Sequence, residues 1–204
     1  MRNKITTQIA LALIAVSIGG CAILTSDEFT YEGYETDVHT DKDAGLLNSC
    51  AAMSVAVCAN AMSDEKKTEA QIKELYDASG ESMLFTLANA ERLGWIGGCR
   101  KAKSLDDAID HLRNEAPIIL TYTTDYWMYI NGYYLVVPAH FRYPEGRHAM
   151  AIVGYNEMRG RFKAYSVGRT NRGNHEVYIW RGEVERLLDN GGEIWCIERK
   201  EGMR

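Results

Sequence analysis

Two rhythms of apolar and polar positions divide this chain. From Cys50 to Met62 nearly every residue is Ala, Val, Met, Ser or Cys. Small side chains on every face predict a helix buried all round, against which other elements pack closely. Residues 63–67 are a polar break. Thr68, with Gln71 three positions on, then forms a capping-box pattern that opens a helix running to about Tyr76. Glu81–Leu93 carries Leu84, Leu87 and Ala88 at helical spacing, stops at Gly94 and is followed by a turn over Trp95-Ile96-Gly97-Gly98. Ser104 caps a further helix, Leu105–Arg113, with Asp106 and Asp107 in the first turn, where the helix dipole favours them. From Pro117 onward the pattern becomes strand-like, over Pro117–Tyr122, Tyr133–Val137, His148–Tyr155, Arg161–Val167 and Glu176–Trp180. Val184–Leu188 reads as a short helix and Ile194–Glu198 as a last strand. Helices first and strands second predict an α+β domain of two lobes.

Residues 1–20 have the layout of a signal peptide. Arg2 and Lys4 precede an apolar stretch, Ile9 to Ile18, that is too short to span a bilayer comfortably. The segment ends in Ile18-Gly19-Gly20-Cys21, which resembles the bacterial lipobox. That resemblance implies cleavage before Cys21 and acylation of it, including palmitate. Two or more chains give stable membrane attachment. Ala22 follows in place of an aspartate, so the same resemblance implies the outer membrane of a Gram-negative cell, periplasmic face. Residues 21–42 read as a polar tether, with room for a strand across Phe29–Tyr34, and residues 43–204 as the folded domain.

Composition narrows the partners. The chain has 204 residues, 46% hydrophobic and 25% charged, with a net charge of −5, enough for one domain with a sizeable core. No basic surface favours nucleic acid. With Cys21 acylated and Cys50 needed as a free thiol, Cys58, Cys99 and Cys196 remain, an odd number that allows at most one internal bridge. No Cys/His spacing suggests zinc, and no metal or organic cofactor is expected.

The chemistry rests on two segments. Asn48-Ser49-Cys50 places a thiol at the head of the small-residue helix, and Gly146-Arg147-His148 opens a strand. A helix N-terminus and a nearby imidazolium both stabilise a thiolate, the form that attacks a carbonyl carbon. Asn156-Glu157-Met158-Arg159-Gly160 reads as a hairpin turn, and folding about it sets His148 opposite Ser166, Val167 or Gly168. A residue near 166 would then fix the imidazole tautomer. His39, His111 and His175 read as surface histidines and His140 as a solvated loop residue. Tyr126, Trp127, Tyr129, Tyr133 and Tyr134 read as packing rather than as a substrate groove, and Asp106, Asp107 and Asp110 as a solvated helix face.

These segments resemble the papain-like cysteine peptidases. Asp43-Ala44-Gly45-Leu46-Leu47-Asn48-Ser49-Cys50 is similar to their Asp-Gln-Gly-x-x-x-Ser-Cys, and Gly146 to Tyr155 to their Gly-Gly-His-Ala-Val-x-x-Val-Gly-Tyr. Phe162 to Gly173 resembles the strand and loop of their Asn-Ser-Trp-Gly motif, and Pro117–Tyr122 their Pro-Val strand. The likeness covers residues 43–198 and extends to the C39-like branch, which has the same order of Cys and His. It implies a two-lobe fold, with N-terminal helices around a central buried helix and a C-terminal antiparallel β-sheet or barrel. It also implies a thiol hydrolase acting on a peptide or isopeptide bond in protein or peptidoglycan of the cell envelope. Cys50 would be the nucleophile and His148 the base, with Ser166 or, in a shifted alignment, Asn171 as the orienter. Ala44 stands where the family has its oxyanion glutamine, and Asn48 is the candidate substitute. Gly168 and Arg172 replace the motif's tryptophans. These departures support a second expectation, a catalytically degenerate relative acting as a binding or regulatory module.

Overall fold

A computed structural model describes residues 28–36, 49–123, 127–130, 133–136, 147–165 and 176–202. Nine strands form one antiparallel sheet: β1 (Glu28–Thr30), β2 (Gly98–Lys101), β3 (Ile118–Thr123), β4 (Trp127–Ile130), β5 (Tyr133–Val136), β6 (Arg147–Asn156), β7 (Arg161–Tyr165), β8 (Glu176–Trp180) and β9 (Glu193–Glu198). Five helices accompany them: α1 (Cys50–Ala61), α2 (Glu69–Ser79), α3 (Met83–Arg92), α4 (Leu105–Asn114) and α5 (Arg181–Asp189). The strand order is β2-β9-β3-β6-β7-β8-β4-β5. β1 pairs with β6 over Gly154–Asn156, continuing the edge that β3 leaves at Ile152. The mixed helix-and-antiparallel-sheet architecture agrees with expectation. The barrel does not: among the described residues the sheet is an open path.

Alternation along the central strands builds two cores, one on each face. Ile119, Ala149, Ala151, Val153, Trp195 and Ile197 face α1, α2 and α3. Ile118, Leu120, Tyr122, Met150, Ile152 and Cys196 face α4 and α5. α1 is buried from Ala51 to Asn60, as its small-residue composition requires. The Asn60 amide closes its last turn, donating to Glu35 O at 3.0 Å and accepting from Lys67 N at 2.7 Å. The expected capping box forms at Thr68 and Gln71, and the Ser104 side chain caps α4 through Asp107 N.

Several expectations are corrected. Gly97-Gly98, expected within a turn, leads into β2. A Cβ at Gly97 would lie 2.5 Å from Arg199 O, so the glycine serves the close approach of β9. Trp127–Ile130, part of the aromatic run, is a strand paired with β5. The last helix begins at Arg181, three residues earlier than its apolar pattern suggests. His111, expected at the surface, is 2% exposed; its ring lies 2.8 Å from Ile197 O through Nε2 and 3.0 Å from Glu115 Oε2 through Nδ1. Asp107 is not simply solvated: Arg100 grips it through two bonds of 2.7 and 3.1 Å. Among the described residues, Cys50, Cys58, Cys99 and Cys196 form no disulfide. Cys99 and Cys196 lie on neighbouring strands but belong to opposite cores, which prevents a bridge.

Candidate functional site

Cys50 is the first residue of α1. Ser49 precedes it as N-cap, its carbonyl accepting from Met53 N at 2.9 Å. The direction of α1 decides where the thiol goes. At its far end Cys58 Sγ lies 4.0 Å from Ile118 O, at the start of β3. The eight steps back to Cys50 cover about 12 Å of helix. The four steps from Ile118 to Tyr122 cover about 13 Å of strand. α1 therefore runs antiparallel to β3 and carries Cys50 to the Tyr122 end, where a negative charge on its sulfur raises the pKa of the Tyr122 phenol.

Tyr122 is the cross-strand partner of His148, and the two rings meet edge to face, centroids 5.5 Å apart at 75°. Cys50 packs against the core on the α1 side. Thiol and imidazole thus both lie near one buried tyrosine. Burial raises the Tyr122 pKa still more than the thiolate charge does. It also pulls His148 down to about 4, so the imidazole rests neutral at physiological pH, as a proton acceptor. Sequence reasoning placed Tyr122 in a strand but gave it no part in the site. Its only signal would have been its register opposite His148, which no local pattern encodes.

The remaining candidates lie outside the described residues: Ser166, Asn171, Asn48, Ala44 and Cys21. The β6–β7 hairpin forms about the expected turn, with Asn156 opposite Arg161. A register shift between Ile152 and Gly154 follows, and the described pairing ends at Ala151 and Tyr165. A cavity of about 370 Å3 lined by Lys101, Ser104, Leu188 and Glu193 involves none of the candidate residues. Among the described residues no group of three His, Cys, Asp or Glu is placed to hold a metal ion, and no helix is long and apolar enough to cross a membrane.

The fold is that of the papain-like cysteine peptidases. The chain superposes on the Carica candamarcensis cysteine protease CMS1MS2, solved with E-64, with a TM-score of 0.53 at 10% identity, covering 86% of this chain and 100% of that one. A Bacillus anthracis protein described as a C39-like peptidase gives a TM-score of 0.49 at 10% identity, over 76% of this chain and 90% of that one. No family profile matches the sequence, and neither does any curated protein.

Proposed function

We propose that this chain is a papain-like thiol hydrolase held in the cell envelope by acyl groups on Cys21. The observation that carries the reading is the course of α1, which brings a helix-N-terminal cysteine to the tyrosine paired with His148. In the reaction, Cys50 attacks the carbonyl carbon of a peptide or isopeptide bond. Neutral His148 accepts the thiol proton and returns it to the leaving amine. Water then hydrolyses the thioester. The Cys50 backbone N–H and the Asn48 amide hold the oxyanion, and Ser166 or Asn171 orients the imidazole. Ala44 contributes no amide, and a missing oxyanion donor slows such reactions by ~10²–10³. The folded domain includes β1 from Glu28 onward, within the segment expected as a tether, and follows a signal peptide of residues 1–20. The expected location is the periplasmic face of the outer membrane, and the expected partner is a peptide, protein or peptidoglycan substrate.

A second reading is favoured by one observation. Burial that holds His148 near pKa 4 disfavours the thiolate–imidazolium pair, and together with Ala44 this describes a degenerate relative that binds an envelope partner. Iodoacetamide alkylation of Cys50 followed from about pH 4 to 9 separates the two, because the thiolate is the reactive form. The hydrolase reading expects rapid modification near neutral pH that His148→Ala slows and Cys50→Ser abolishes. Modification rising only around pH 8–9, and indifferent to His148→Ala, leaves the binding module.

A further inference from the structure

The sheet has two ends, and the candidate chemistry occupies one of them. At the other, Glu28, Asn156, Arg161 and Trp180 stand in register across β1, β6, β7 and β8. Two of the large apolar side chains that the described fold leaves exposed are here: Met158, 58% exposed at the tip of the β6–β7 turn, and Trp180, 43% exposed at the end of β8. Arg159, beside Met158, is exposed, and among the described residues no ion pair engages it. An exposed tryptophan and methionine beside an arginine match the chemistry of a bilayer interface. There the ring sits at headgroup level and the guanidinium meets lipid phosphates.

We infer that this end of the sheet, the β6–β7 turn with Met158 and Arg159 together with Trp180, rests on the lipid surface that holds the anchor. The inference depends on the reading that Cys21 is acylated. Cys21 lies seven positions before Glu28, and Glu28 is already fixed opposite Asn156 by strand pairing. Seven residues reach at most about 25 Å even when fully extended. His148 is eight residues along β6 from Asn156, about 26 Å away. The short connection keeps the turn end close to the bilayer, and β6 acts as a spacer that points the Cys50–His148 end away from it. The substrate accordingly approaches from the aqueous periplasmic side, as a peptide or peptidoglycan strand and not as a lipid.

The test uses the full chain purified from a Gram-negative host and reconstituted in phosphatidylethanolamine–phosphatidylglycerol vesicles. Part of the lipid carries bromine on the acyl chains near the headgroup. The expected result is a loss of tryptophan emission whose quenched component disappears in Trp180→Phe and weakens in Met158→Ser. Leu84→Ser, at an exposed apolar residue on α3, leaves it unchanged. A wild-type chain that fails to stay with the vesicles, or stays equally well as Cys21→Ser, overturns the anchor reading and this inference with it. A chain held through Cys21 whose quenching ignores Trp180→Phe leaves the anchor standing and overturns the orientation. So does one that answers to Leu84→Ser instead.

Discussion

The half-buried imidazole of His148 makes a quantitative prediction about acid stability. His148 titrates near 6.5 in an unfolded chain and about 4 in the fold, because burial penalises its charged form. The folded pKa is depressed, so its contribution is fully present above pH 6.5 and is lost as pH falls through 4. The unfolded chain takes the proton first. At 1.36 kcal/mol per unit, the loss across this window is about 3 kcal/mol. The perturbation is His148→Gln, which keeps a polar side chain of similar reach and removes the titration. Urea unfolding followed by tryptophan emission at pH 7, 5.5 and 4 gives the stability of each protein. The other histidines, including buried His111, are common to both and cancel in the difference. Asp107 does not interfere. Its bonds to Arg100 and Lys103 N hold its carboxyl down at about 2, so its contribution is lost only below the usual carboxylate range. The wild type should therefore lose about 3 kcal/mol more than the variant between pH 7 and 4. Parallel losses in the two proteins would refute the claim that burial depresses His148, and would remove the observation that favours the degenerate reading.

Two further substitutions probe the frame around the site. A Cβ at Gly154 would stand 2.6 Å from Phe29 O and 2.7 Å from Thr30 Oγ1, so Gly154→Ala must push β1 off β6. The expected cost is about 1–3 kcal/mol in urea unfolding, with faster proteolysis before Tyr31; an unchanged midpoint would mean that β1 does not hold there. Thr68→Ala removes the side-chain half of the capping box on α2 and should cost about 1 kcal/mol without altering Cys50 alkylation. A change in thiol reactivity would show that the α2 cap communicates with the site.

The legible parts of this protein are those whose causes lie within a few residues. The capping box at Thr68, the cap at Ser104, the buried small-residue helix behind Cys50, the strand opening near His148 and the turn about Glu157 all follow from periodicity and nearby donors and acceptors. The Ser-Cys and His-Ala segments carried a resemblance to the papain-like peptidases, and the fold agrees with it. Misreadings arose where a distant segment sets the environment. Gly97-Gly98 looked like a turn because its reason, the backbone of Arg199, is a hundred residues away in sequence. His111 looked like a surface residue because its cover comes from β9.

By itself, then, the sequence determined most of the helices and strands, though not β2 or β4, and offered a candidate thiol and a candidate base. Tertiary structure alone decided that among the described residues the sheet is an open path, that Cys99 and Cys196 belong to different cores, and that Tyr122 lies against His148 and near Cys50. Strand order and register come from the packing of apolar faces across long loops, and every pairing slip of one residue would exchange those faces. A local pattern records that a face is apolar. Only the assembled sheet specifies what meets it.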